Sequence, residues 1–154
     1  MTNPADKNSS STALDYVQVT LGKTRLLFPS TEVLSLEAMP ETGTVGSIGV
    51  VRLNGTELPV YNFDEELQLL HGSQHSRPAC ACLGNGRTAY GLLCDKTETV
   101  DGASLRMIEL PPCMRSANTP VQFLATQGTR VLCVSSVERL AGLIEVFRQH
   151  EAGP

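Results

Sequence analysis

Tryptophan is absent from the 154 residues, and aromatic side chains make up only 5% of them. Val, Leu and Ile must therefore build most of any core. No block of Lys or Arg occurs either. The 12 basic residues are scattered and the formal net charge is -4. A nucleic-acid binder needs a basic stripe that displaces counterions, and a polybasic membrane surface needs clustered lysines and arginines. Both classes are excluded on these grounds. No run approaches the roughly 18 apolar residues of a spanning helix. The opening residues MTNPADKNSSSTA lack the apolar stretch of a secretory signal. They read as a polar, disordered tail over 1–13, and the expectation is a cytoplasmic protein.

Cysteine is present in an odd number, as Cys80, Cys82, Cys94, Cys113 and Cys133. Without a signal segment these are expected to be reduced thiols. Cys80 and Cys82 form a lone C-x-C, with no second pair at zinc-finger spacing. Cys94 and Cys133 sit in apolar runs and read as small buried hydrophobes. A Cys nucleophile at Cys80 or Cys82 would need a basic neighbourhood that lowers its pKa, and only Arg77 and Arg87 are near in sequence. His71, His75 and His150 have no Ser or Cys partner at motif spacing, although triads can assemble from distant positions. Asp64-Glu65-Glu66 reads as a helix start, where acids complement the dipole. Gly84-Asn85-Gly86 opens a strand, not a helix, so it is not a phosphate cradle. No cofactor and no metal is expected.

What is abundant is short extended segments. YVQVT at 16–20 alternates with period two. Further strands are expected at 25–28, 32–36, 50–53, 56–61, 79–83, 88–94, 97–100, 107–110, 121–125 and 130–134, with a loop over 39–47. Asn54-Gly55 between two apolar segments is a strong hairpin signal, because a type I′ turn needs positive φ at both positions. Pro59 lacks an N–H, which predicts an edge or a bulge there. Asn62 with Glu65 predicts a capped short helix stopped by Gly72, followed by a polar linker over 72–78. Ser135 with Glu138 predicts a second, longer helix whose apolar face is Leu140, Leu143, Ile144 and Phe147, with residues 148–154 fraying.

The hairpin recurs. At a shift of 73, Gly55 falls on Gly128, Val60 on Cys133, Asn62 on Ser135 and Glu65 on Glu138. At a shift of 64, Phe28 falls on Leu92, Val33 on Thr97 and Leu36 on Val100. Turn, cap and box position in one register point to an internal duplication. A small antiparallel sheet hides its edges by closing. The expected fold is therefore mainly β: two small five-stranded barrel lobes, packed and intertwined in one domain over 14–147, with a C-terminal helix over part of the joint.

Three segments resemble the CheW-like family, the adaptor domain of bacterial chemosensory arrays, whose lobes are SH3-like barrels. FPSTEVLSL at 28–36 is similar to its V-x-x-V-type strand, and GVVRLNG with LPVYNF at 49–63 to its G-V-x-N-L-R-G-x-x-x-P-V-x-D-L signature. GLLCDKTETV at 91–100 resembles its G-L-x-V-D-x-V-x-x-V segment. Arg52 and Asn54 stand where the family has Asn and Arg, Asn62 stands for its strand-end Asp, and the loop over 37–48 is short for the family. The resemblance implies scaffolding without catalysis. It implies two partners: the regulatory domain of a CheA-type histidine kinase, and the cytoplasmic tip of a chemoreceptor seated between the lobes. Carried over by position, the receptor-side candidates are Val33, Leu36, Arg52, Asn54 and Gly55. The kinase-side candidates are Asp95, Lys96 and Thr99. The departures point to an accessory member, in a chemosensory or a type IV pilus (twitching) system. The alternatives are a small thiol- or metal-dependent enzyme on a duplicated barrel, and a β-barrel module for a small ligand.

Overall fold

The computed structural model describes residues 14–38, 50–70, 77–115 and 119–152. The expected tail over 1–13, most of the loop over 37–48, and His71, Gly72 and His75 lie outside the described residues, as does the side chain of His150. Among the described residues the strands are β1 (Tyr16–Leu21), β2 (Thr24–Pro29), β3 (Val33–Ala38), β4 (Val50–Leu53), β5 (Thr56–Tyr61), β6 (Ala79–Gly84), β7 (Ala89–Cys94), β8 (Lys96–Val100), β9 (Arg106–Glu109), β10 (Phe123–Gln127) and β11 (Arg130–Val134). Helix α1 (Val137–Ala152) follows.

The strands form a six-stranded sheet, β8-β1-β2-β11-β10-β9, and a five-stranded sheet, β3-β6-β7-β5-β4. The duplication expected from sequence is visible as an exchange. The β1–β2 hairpin of the first half pairs with β8 and, in parallel, with β11 of the second half. The β6–β7 hairpin of the second half pairs with β3 and, in parallel, with β5 of the first half. Each lobe is thus a hairpin of one half walled by strands of the other, and neither half can form its sheet alone. The first lobe gains a sixth strand because β9 adds to β10 outside the repeat.

Three apolar clusters follow from this. One fills the joint: Val17, Val19, Leu26 and Phe28 of one sheet meet Ala81, Leu83, Tyr90 and Leu92 of the other, closed by Val137, Leu140 and Ile144 of α1. One lies inside each lobe, around Leu27, Ala125, Leu132 and Val134 in the first and Leu58, Val60, Cys80, Cys82 and Leu93 in the second. Alternation along each strand divides its side chains between joint and lobe interior.

Local expectations met mixed outcomes. The Asn54-Gly55 turn forms with φ of 52° and 82°, as a type I′ hairpin requires. Pro59 lies in an interior strand, but at the point where β5 leaves β4 (Val50↔Pro59) and takes up β7 (Val60↔Gly91). No helix forms after Asn62 over the described stretch to Leu70. The Asp64 carboxylate instead accepts from the N–H groups of Glu66 and Gln68, both at 2.9 Å, and Leu67 turns left-handed at φ 61°. This is the local competition by which Asp diverts a backbone from helix. Asn62 and Ser135 do share a role, as buried polar residues where a last strand ends. Ser135 is not the cap of α1, because its hydroxyl donates to the Pro120 carbonyl at 2.6 Å. The cap is Ser136, which accepts from the Arg139 N–H at 3.1 Å. The helix runs on to Ala152, past the expected fraying point at 148.

Candidate functional site

The β3 strand carries the most informative local feature. Its register against β6 starts with Val33↔Leu83 and then slips, so that Ser35 lies opposite Cys82 and Leu36 opposite Ala81. Leu34 is the extra residue of a β-bulge. The matching strand of the second half, β8, runs without a slip: Thr97↔Val19 and Thr99↔Val17. Up to Val33 the two halves agree, since Val33 and Thr97 occupy matched places. Beyond the bulge they differ by one residue, and a one-residue slip turns every side chain to the other face. Leu36 was expected to match Val100. Val100 is buried inside its lobe, whereas Leu36 takes the face of Thr99, toward the joint, and is 47% exposed. Leu34 is 49% exposed beside it, its Cδ1 against Gly84. Val33 is partly buried against the joint cluster. The result is an apolar rim on edge strand β3, bordering the joint between the lobes.

Arg52, Asn54 and Gly55 lie in the β4–β5 hairpin, at the opposite edge of the same sheet. The Arg52 guanidinium donates to Glu57 across the hairpin at 2.9 Å, both side chains being more than half exposed. Such a surface pair contributes well under about 1 kcal/mol and exchanges readily for another acidic partner. Three strands separate these residues from Leu36, so the receptor-side candidates lie at two distinct edges of the sheet.

The kinase-side candidates also separate, and Lys96 and Thr99 lie on β8, an edge strand of the first lobe. Asp95 is committed within the fold: one carboxylate oxygen accepts from the Gly22 N–H at 2.6 Å and the other meets Arg77 Nε at 3.2 Å. Arg77 donates further to Asn62 at 3.2 Å and to the Phe63 carbonyl. This clamp ties the β1–β2 turn, the end of β5 and the β7–β8 junction together, and sequence reading noticed Arg77 only as a neighbour of cysteines. Lys96 is exposed and pairs with Glu98 at 3.3 Å. Thr99 is exposed on the face of Val17, opposite to that of Lys96.

Two of the buried thiols are held in their protonated form. Cys80, Cys82 and Cys94 are buried, and burial pushes the Cys80 and Cys94 thiols up to about 12, against the direction a thiolate requires. Cys133 is raised by the same cause. Arg77, the cation nearest in sequence, is engaged by Asp95. Among the described residues no cluster of His, Cys, Asp and Glu could hold a metal, and no helix is long and apolar enough to cross a membrane.

The crystal structure of the scaffolding protein TtCheW from Thermoanaerobacter tengcongensis matches the chain with a TM-score of 0.57, over 82% of this chain and 91% of that one. This chain has a CheW-like fold. Identity over the match is 18%. No family model matches the sequence, and no curated protein matches it. The fold accounts for the order of the three quoted segments: 28–36 builds the bulged edge strand, the described part of the second, 50–63, the β4–β5 wall, and 91–100 the end of β7 with β8.

Proposed function

We propose that this protein is a non-catalytic adaptor of a bacterial chemosensory complex, joining chemoreceptors to a CheA-type histidine kinase. The observation that carries this reading is the bulge at Leu34, which turns Leu36 out of its lobe and onto the rim of the joint. Bulges placed this way re-aim a side chain at the cost of a ladder position. An exposed leucine pair on an open sheet edge is a surface to be covered by another protein. The receptor tip would seat on Val33 and Leu36. Arg52 with Asn54 and Gly55 would form a separate contact at the far edge, and Lys96 and Thr99 on β8 would face the kinase's regulatory domain. Asp95 would shape that surface through its clamp. The exchanged pattern at Arg52 and Asn54 supports an accessory member, in a chemosensory or a twitching system.

A calorimetric titration with the regulatory domain of a CheA-type kinase from the same organism tests the reading. One-to-one binding at low micromolar Kd is expected. Absence of binding at high concentration overturns the kinase half of the proposal and leaves the receptor half to a parallel titration with a receptor tip.

A further inference from the structure

A cleft of about 470 Å³ lies on the first lobe, away from both edges discussed so far, between β9, the start of β10 and the first turn of α1. Its apolar lining is Leu110, nearly fully buried, with Val121 and Phe123, the last 38% exposed. Its charged lining is Arg115, Arg139 and Glu109. Two arginines converge on one cleft in a chain whose net charge is -4.

Neither guanidinium is neutralised firmly from within. Arg115 is held in place by its Nε donating to the Leu110 carbonyl at 2.8 Å, which aims its fork. Its only carboxylate partner among the described residues is Glu109, at 3.6 Å on a side chain 85% exposed. Arg139 has no carboxylate within ion-pairing distance among the described residues. Its place in the helix is equally telling. With Ser136 as cap, Arg139 is the third helical residue, where a capping box wants Glu or Gln and where the dipole disfavours a cation. The sequence thus sets a cation at the box position, while the carboxylates that serve this helix start come from elsewhere: Glu32 accepts from the Val137 N–H at 2.8 Å and Glu138 lies in the first turn. Arg139 itself is left without a carboxylate partner among the described residues, which suits it to a contact outside the fold.

We infer that this cleft is a docking site for an acidic segment of a partner protein, a carboxylate flanked by an apolar side chain. The planar fork of a guanidinium matches a carboxylate in geometry as well as charge, and two of them line this cleft. The Leu110, Val121 and Phe123 surface takes the neighbouring apolar group. The Glu109 carboxylate at the rim opposes a dianionic phosphate more than a single carboxylate. The site does not depend on the Leu36 rim, so it stands or falls separately from the receptor contact.

The test is an amide chemical-shift titration of the full chain. Its probes are a terminally capped hexapeptide of three Glu alternating with Leu and Phe, the same peptide with Gln for Glu, and inorganic phosphate. Saturable shifts at Arg115, Val121, Phe123 and Arg139 are expected with the Glu peptide, with at least tenfold weaker binding of the Gln peptide. Arg139→Glu should abolish those shifts while leaving the melting temperature equal or higher, because it completes the capping box. Equal binding of the two peptides, saturable shifts with phosphate alone, or no shift at millimolar Glu peptide overturns the proposal. A drop in melting temperature with Arg139→Glu would assign the arginine a structural role and overturn it too.

Discussion

Inside the lobe built on β1–β2, three positions carry Tyr16, Gln18 and Leu27. Inside the lobe built on β6–β7, the matching positions, 64 residues on, carry Cys80, Cys82 and Gly91. One backbone plan is filled with bulk in one lobe and emptied in the other. In the second lobe the strands close over small side chains: a Cβ added at Gly91 would meet Cys80 Sγ at 2.8 Å and Val60 Cγ2 at 3.2 Å. In the first the interior has room for a polar link, Arg130 donating to the buried Gln18 amide oxygen at 3.1 Å. The difference teaches that duplication preserves strand order while side-chain volume is renegotiated lobe by lobe. It also shows where each lobe is vulnerable.

The helix is the largest asymmetry, since no helix follows β5 over the described residues, and it offers the largest effect. Leu140 is fully buried in the joint, with Leu143 only packed at its margin. Leu140→Asp should abolish cooperative melting, as an unpaired charge between two lobes costs more than about 4 kcal/mol. Leu143→Asp should melt cooperatively at a lower temperature. Equal behaviour of the two would mean that α1 presents a different face.

Gly91→Ala sharpens the volume comparison. The added methyl has Cys80 in its way, and overpacking of this kind costs about 1–3 kcal/mol in chemical denaturation. Leu27→Ala, at the matched place, should cost about 2–5 kcal/mol for the opposite reason, a cavity. Two costs of opposite origin at one repeat position would establish the contrast; a neutral Gly91→Ala would erase it.

The polar link predicts a double-variant cycle. Arg130→Met strands the buried Gln18 oxygen and should cost about 1–3 kcal/mol, and adding Gln18→Leu should recover most of that loss. The second lobe has thiols instead, and they give a pH signature. The unfolded chain releases thiol protons near pH 8.5, whereas folded Cys80 and Cys94 hold theirs to about 12. Between those values the native state binds more protons than the unfolded one. Stability is therefore complete below the unfolded pKa and declines as pH rises toward 12. Denaturation midpoints that stay level from pH 8 to 10.5 would contradict the burial of these thiols. A thiol reagent on the native protein should label Cys113, which is exposed, well before Cys80, Cys82 or Cys94.

Much of this was legible in the residues. Strand order, the Asn54-Gly55 turn, the duplication and the joint-covering helix follow from period-two patterning, turn chemistry and an apolar stripe, which are local signals. The exchange of strands between halves was not legible as pairings, because both partners of each pair are apolar segments with interchangeable patterns. The failed helix after Asn62 turned on two side chains: Asp64 takes the N–H groups of Glu66 and Gln68, and the Glu65 carboxylate, expected in the box, accepts from the Lys23 N–H of the β1–β2 turn at 3.0 Å. The bulge at Leu34 was invisible because LSL in VLSLEA alternates as a regular strand would. Its presence shows only in which face Leu36 takes. The cleft arginines are 24 positions apart in sequence (139 − 115), and nothing local links them.

The finest test sets Leu36 against Thr99, which the bulge brings to matched faces in the two lobes. Both are exposed, so Leu36→Arg and Thr99→Arg should each change stability by less than about 0.5 kcal/mol. Their effects on binding should diverge. Leu36→Arg places a charge on the apolar rim and should weaken a receptor tip at least tenfold while sparing the kinase domain. Thr99→Arg should do the reverse. If both substitutions weaken the same partner, the two lobes present one continuous surface and the bulge does not divide it. If neither affects either partner, Leu36 is an incidental exposed leucine, and partner contacts must be sought at the Arg52 hairpin and in the cleft of Arg115 and Arg139.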